Sequence, residues 1–185
     1  SNKDFVANRP DRCYICKKEI MGKIIEKASE YNISTIIDGS NAGDQKDFRP
    51  GMQASKEMGV LSPLQEAGLV KDEIRFLARE MGIPVWDKPA SPCLCSRIPY
   101  GDEITRGKLD QIEKGEKMLK GLGFSEVRLR HHGNLVRLEI PLARMNDLFY
   151  PQTLNALKKE LKALGFIYIT LDLEGFRSGS FNEVS

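Results

Sequence analysis

Two closely spaced thiol pairs carry most of the chemistry this chain could do. Cys93 and Cys95 stand two positions apart in Ser91-Pro92-Cys93-Leu94-Cys95-Ser96-Arg97, and Cys13 and Cys16 form a C-x-x-C near the start. These are all four cysteines of the chain. Thiols paired in this way bind metal, carry sulfur or cycle between redox states. A disulfide between Cys13 and Cys16 would close a very short loop and stabilise little. A C-x-x-C that opens a helix also fits a structural zinc site or a buried pair with no chemistry. Both pairs together would make a closed tetrahedral zinc site, although C-x-C is a less usual knuckle than C-x-x-C.

Other side chains could hold a ligand. Arg128 and Arg130 are two apart on a predicted strand, so they share one face and could clamp a phosphate. The competing reading is an exposed charged face, and Arg137 on the partner strand reads as surface. Ser96 could donate to a phosphate or cap its own loop, and Arg97 follows it directly. Asp44 could orient Mg²⁺ or a ribose hydroxyl, or close an Asx turn. Trp86 could stack on a ring or sit in the core. Glu116 and Asp147 could meet around a divalent ion, against the ordinary reading of solvated carboxylates. The pair His131-His132 reads as a solvent-facing hairpin tip.

The elements that must position these residues fall into two groups. In the first, a helix over 16–31 puts Ile20, Ile24, Ile25 and Ala28 on one stripe. The β-branched run 34–39 predicts a short buried strand that feeds the loop Asp38-Gly39-Ser40-Asn41-Ala42-Gly43-Asp44. A helix over 71–82 turns Ile74, Leu77, Ala78 and Met81 inward and stops at Gly82. Residues 83–87 read as extended. This order predicts an α/β parallel, Rossmann-like sheet, incomplete at its N-terminus, over residues 1–102.

The second group, residues 103–185, predicts a small α+β domain. A charged amphipathic helix over 105–122 has Leu109, Ile112 and Leu119 as apolar positions and ends at Gly123. Segments 127–130 and 135–140 alternate strictly around His132-Gly133-Asn134, which predicts an antiparallel hairpin. A short helix over 141–150, a longer one over 154–164 ended by Gly165, and a strand over 166–173 complete it.

Bulk properties narrow the classes. Lys+Arg 28 against Asp+Glu 26 leaves a formal charge of +2, which announces neither a nucleic-acid nor a membrane partner. The chain holds no apolar run of membrane-spanning length and no signal-peptide pattern at its start. A cytoplasmic setting is therefore expected, where such cysteine pairs are metal or redox sites more often than disulfides.

Taken together, the motifs resemble a known family. Asp38-Gly39-Ser40-Asn41, Leu61-Ser62-Pro63-Leu64, the 71–82 helix, Pro84 and Trp86-Asp87-Lys88-Pro89 are similar to the back half of a PP-loop ATP pyrophosphatase. The variant resembles the LarE-type ATP-dependent sulfur transferases. It does so through Arg12-Cys13-Tyr14-x-Cys16-Lys17, the loop from Pro89 to Gly101, and the closing Glu174-Gly175-Phe176-Arg177-Ser178-Gly179-Ser180. The family's S-G-G-x-D-S pyrophosphate loop has no counterpart in this sequence, so the chain is expected to lack that segment and not to adenylate anything alone.

The resemblance implies adenylation of a pyridinium dicarboxylate mononucleotide by ATP with Mg²⁺. Sulfur then displaces AMP to give a thiocarboxylate on the way to a nickel-pincer nucleotide cofactor. The sulfur comes either from a sacrificed loop cysteine, here Cys93, or through a three-cysteine [4Fe-4S] cluster. The spare thiols favour the cluster, with Cys93, Cys95 and either Cys13 or Cys16 as ligands. The resemblance also implies a homo-oligomer, and it supports Arg128 and Arg130 as substrate-phosphate residues, with Ser96 and Arg97 as further substrate-binding candidates. Two other classes stay open. One is a different PP-loop enzyme, for tRNA thiolation or amide formation. The other is a non-enzymatic zinc-binding assembly module.

Overall fold

A computed structural model of the chain describes residues 2–46, 50–88 and 92–177. Pro89, Ala90 and Ser91 of the cysteine-loop motif, and Ser178, Gly179 and Ser180 of the closing motif, lie outside the described residues. The chain is α/β and divides into two units. One comprises Asn2–Phe5 and Arg9–Ser91, and the other comprises Val6–Asn8 and everything from Pro92 onward. The cysteine loop, expected at the end of the first domain, therefore groups with the C-terminal unit.

The N-terminal unit is mainly helical: α1 (Lys3–Val6, reaching its edge), α2 (Arg12–Glu30), α3 (Pro50–Glu57), α4 (Pro63–Glu66) and α5 (Lys71–Glu80). The sequence reading has no counterpart for α3, whose one turn of buried residues, Ala54 and Ser55, is too short for periodicity to mark. Among the described residues the β pairing of this unit is one parallel bridge, Ile37 with Leu61. Its flanking bonds are Asp38 N–H to Leu61 O at 2.9 Å and Leu61 N–H to Ile36 O at 3.0 Å. The run 34–39 is thus no buried strand within this unit, because Ile37 and Leu61 are both exposed. Helix α5 forms where its period predicts, yet it buries no residue, and Leu77 and Met81 face outward. Residues 84–87 form turns rather than extended chain, closed by Trp86 N–H to Ile83 O and Lys88 N–H to Val85 O.

The C-terminal unit follows its sequence pattern closely. Helix α6 (Arg106–Gly121) starts at Thr105, whose hydroxyl accepts the Lys108 N–H at 3.2 Å, and it ends at Gly123 with φ +93°. Strands β1 (Arg128–His132) and β2 (Leu135–Glu139) pair antiparallel, with Gly133 at φ +63° in the turn. A 3₁₀ turn (Leu142–Phe149) and α7 (Pro151–Ala163) lead to β3 (Tyr168–Leu171), which pairs parallel with β2. The sheet order is β1-β2-β3.

Alternation splits this sheet into two faces. Leu129, His131, Val136 and Leu138 lie on the inner face, over Ile112, Leu119, Leu157 and Leu161 of α6 and α7, and all are buried. Gly115 lets α6 lie close to β1, because a methyl group there would collide with Leu129. Arg128, Arg130, Arg137 and Glu139 occupy the opposite face. Among the described residues no helix is long and apolar enough to cross a membrane.

His131 is not solvent-facing. It is buried edge-on to Phe166, with ring centroids 5.3 Å apart, and its Nε2 lies 3.0 Å from Gln111 Oε1. Burial, followed by the nearby Lys108 charge, holds its pKa below the ordinary 6.5. The unfolded chain therefore takes up a proton at a pH where the folded chain does not. Stability falls as pH drops through about 6.5 toward the lower folded value. Thermal midpoints between pH 7.5 and 5.5 should decline more steeply for the native chain than for His131→Gln; equal slopes would contradict this.

Candidate functional site

The cysteine loop is built on two buried arginines. Pro92 and Cys93 lead into a 3₁₀ turn, Leu94–Arg97, that leaves Cys93 exposed and Cys95 buried. Arg97 forms a two-bond pair with Glu116 of α6, Nε to Oε1 at 2.7 Å and Nη2 to Oε2 at 3.2 Å. Both side chains are almost fully buried. The remaining Arg97 nitrogen, Nη1, donates to Ser96 Oγ at 2.8 Å and lies 3.4 Å from the carbonyls of Pro92 and Cys93. Ser96 Oγ donates in turn to Cys93 O at 2.7 Å. Glu116 also accepts the Leu129 N–H at 3.2 Å, so one carboxylate fixes both the loop's arginine and strand β1.

Arg130 supplies the second tether. It pairs with Glu139 through two bonds of 2.8 Å and donates from Nη1 to Ser96 O at 2.7 Å. Glu139 is wholly buried and also meets Arg137 at 3.3 Å. Arg137, expected at the surface, is half-buried between Glu139 and Asp172, the latter at 3.5 Å. Arg128 differs from these three. Its guanidinium lies over the Phe176 ring, 4.6 Å from the centroid, and donates to Val127 O at 3.2 Å. Among the described residues it forms no ion pair with a carboxylate. Burial, and then the Arg97 charge, lower its pKa.

These contacts sort the candidates. Ser96, Arg97, Arg128 and Arg130 are brought together around the loop and β1. Arg130 uses N–H donors on all three of its nitrogens, to Glu139 and to Ser96 O, whereas Arg128 donates to Val127 O. Glu116 is no solvated carboxylate but the buried partner of Arg97. Asp147 pairs instead with Arg144. Asn8, φ +54°, also escapes the sequence reading: its buried amide donates to Pro99 O at 2.6 Å and Asp102 O at 2.8 Å, fixing the turn after the loop. The polar lone residue amid Val6–Asn8 gave no periodic signal for this.

In the N-terminal unit, Asp44 and Trp86 do share one place. An open groove of about 610 Å³ is lined by both, with Gly39, Lys71, Arg75 and Lys88. Asp44 accepts the backbone N–H and side-chain amide of Asn41, at 3.0 and 2.7 Å, which is the turn-closing arrangement. Trp86 is part-exposed, with Arg79 5.4 Å from its ring. Asp38 accepts Ser62 Oγ at 2.8 Å and Ser40 N–H at 3.1 Å, which joins the DGSN and LSPL motifs physically. Burial alone would raise its pKa, but the Ser40 and Ser62 hydrogen bonds and Lys17 hold it below the usual carboxylate value.

The four thiols fall on different units: Cys13 (exposed) and Cys16 (half-buried) in the first turns of α2, Cys93 and Cys95 in the C-terminal unit. Among the described residues no three His, Cys, Asp or Glu side chains are gathered within either unit to hold a metal ion. The loop alone supplies two soft ligands, one fewer than a three-thiolate cluster needs.

No family model matches the chain. It is 42 % identical over 184 residues to an uncharacterized protein of Synechocystis sp., covering 100 % of this chain and 69 % of that protein. It is 41 % identical over 177 residues to a pyridinium-3,5-bisthiocarboxylic acid mononucleotide synthase of Lactiplantibacillus plantarum, covering 95 % of this chain and 63 % of the synthase. The chain thus spans less than two thirds of the synthase's length. A tRNA-specific 2-thiouridylase of Thermoanaerobacter sp. is 31 % identical over 137 residues, covering 62 % of this chain and 37 % of that enzyme.

Removing one member of a buried pair strands the other. Glu139→Ala should destabilise the protein by about 3–5 kcal/mol, because Arg130 is left buried without its carboxylate. The double variant Arg130→Met/Glu139→Leu should recover much of that loss in urea unfolding. A single variant within about 1 kcal/mol of the native chain would show that the pair is not desolvated.

Proposed function

The chain belongs to the LarE-type family of PP-loop enzymes, and we propose that it serves ATP-dependent sulfur insertion into a pyridinium dicarboxylate mononucleotide. ATP with Mg²⁺ adenylates a substrate carboxylate and releases pyrophosphate. Sulfur then attacks the acyl carbon, the carbon–oxygen bond to AMP breaks, and a thiocarboxylate remains. The product matures into a nickel-pincer nucleotide.

The observation that carries this reading is the cysteine loop. Cys93 is exposed on a turn whose carbonyls and serine hydroxyl are held by the buried Arg97, while Cys95 points inward. A thiol presented on a fixed turn beside arginines suits delivery of sulfur to an anionic nucleotide. Arg128 supplies the phosphate contact, and Ser96, held by Arg97 and Arg130, is the second candidate. The basic groove with Asp44 and Trp86 is the second candidate surface for nucleotide, its lysines and arginine matching phosphate charge.

Sulfur leaves from the loop by one of two routes. In the sacrificial route Cys93 sulfur displaces AMP to form a thioester. Loss of the Cys93 α-proton and cleavage of its Cβ–S bond then leave dehydroalanine and the thiocarboxylate. In the other route Cys93, Cys95 and one of Cys13 or Cys16 would hold a [4Fe-4S] cluster, which would supply the sulfur to be delivered. The exposure of Cys93 serves both routes. A homo-oligomer is part of the reading through the family resemblance.

The test is turnover of the full-length protein under anaerobic conditions, with mass spectrometry and iron analysis. Cys93→Ala should abolish thiocarboxylate formation. Loss of one H₂S from Cys93 after turnover selects the sacrificial route. Iron in the native protein that disappears in Cys95→Ala selects the cluster. Full activity of Cys93→Ala would sink the proposal.

A further inference from the structure

We propose that Phe176 is a positioning residue for Arg128, and that the Gly175-Phe176 step of the closing motif fixes this guanidinium as the phosphate-binding edge for a mononucleotide. The inference rests on the phosphate role given to Arg128 above and extends it to a segment with no assigned part in the reaction.

The charged sheet face shows why Arg128 stands apart. Arg97 is matched by Glu116, Arg130 by Glu139, and Arg137 by Glu139 and Asp172. Arg128 is the partly buried arginine of this group without an ion pair among the described residues. It feels the charges of Arg97 and Arg130 and, with opposite sign, those of Glu116 and Glu139. The four arginines Arg97, Arg128, Arg130 and Arg137 outnumber the carboxylates Glu116, Glu139 and Asp172 by one, and a net positive patch attracts a dianion. The planar edge of Arg128 offers the paired N–H donors that match a phosphate.

The Arg128 Cζ lies over the Phe176 ring, 4.6 Å from its centroid. An aromatic face attracts a cation and leaves its in-plane donors accessible. Holding a long, rotamer-rich side chain in one orientation before binding reduces the ordering cost when the ligand arrives.

The backbone explains how Phe176 gets there. After β3, Asp172 N–H bonds to Leu138 O at 2.9 Å and Gly175 N–H to Asp172 O at 3.1 Å, and Phe176 N–H then reaches Ile140 O at 2.9 Å. Gly175 has φ +75°, and a Cβ there would sit 2.9 Å from the Ile140 carbonyl oxygen. Only glycine fits such a bend. An Arg177–Glu174 ion pair braces the turn. The Gly-Phe pair is therefore built into the return of the chain across β2, and the ring lands on Arg128.

Binding of nicotinic acid mononucleotide, a pyridinium mononucleotide probe, to the full-length protein tests this by calorimetry. Phe176→Leu should raise Kd about 3- to 10-fold, while Phe176→Tyr stays within about twofold of the native protein. Arg128→Ala should weaken binding more, and Arg128→Ala/Phe176→Leu should be no weaker than Arg128→Ala alone, since the two act as one unit. A merely structural role for Phe176 would make the two losses add. Additive losses, or native affinity in Phe176→Leu beside weakened Arg128→Ala, overturn the role of Phe176 and leave the phosphate assignment standing. Native affinity in Arg128→Ala overturns both.

Discussion

Two buried arginine–carboxylate pairs, Arg97–Glu116 and Arg130–Glu139, are the constraint on which the cysteine loop depends. Desolvating four charges is costly, and only close two-bond geometry offsets the cost. The geometry is met here with bonds of 2.7 to 3.2 Å. The donors left over then hold the loop: Arg97 Nη1 takes Ser96 Oγ, and Arg130 Nη1 takes Ser96 O. The loop thus inherits the rigidity of α6 and the sheet. The exposure of Cys93 and the burial of Cys95 follow from this anchoring rather than from the loop's own sequence.

The same pairing logic separates structure from recognition. An arginine held by a buried carboxylate organises the protein, and the proposal for Arg128 turns on its having no such pair among the described residues. On the outer face of the C-terminal sheet that distinction falls between Arg130 and Arg128, two residues that strand periodicity alone makes equivalent. In the N-terminal unit, the Asp38–Ser62 hydrogen bond plays a comparable organising part. It ties the Leu61–Leu64 turn to the 38–44 loop, which lines a basic groove carrying Asp44 and Trp86.

The C-terminal unit was largely legible in the sequence. Strict alternation over 127–130 and 135–140, and glycines at 123, 133 and 165, marked its strands and stops, because the inward positions Leu129, Val136 and Leu138 are buried within the unit. The buried carboxylates were less visible, although a signal existed. Glu116 lies four residues after Ile112 and three before Leu119, inside the apolar stripe of α6. A carboxylate in that stripe demands an internal cation. In the N-terminal unit, periodicity found the apolar faces of 34–39 and α5 but not what covers them, since a pattern records only which face seeks burial. Residues 84–87 turn rather than extend because local bonds, Trp86 N–H to Ile83 O and Lys88 N–H to Val85 O, fold the chain there, and residue types alone do not record them.

The most direct test of this account is the relative reactivity of the loop thiols. The folded, reduced protein would be treated briefly with iodoacetamide and each cysteine mapped by peptide mass. The account predicts that Cys93 reacts and Cys95 is protected. It also predicts that Glu116→Gln, which removes the charge holding Arg97, exposes Cys95 without changing the rate at Cys13. Equal protection of Cys95 in a folded Glu116→Gln protein would contradict the claim that the buried pair holds the loop.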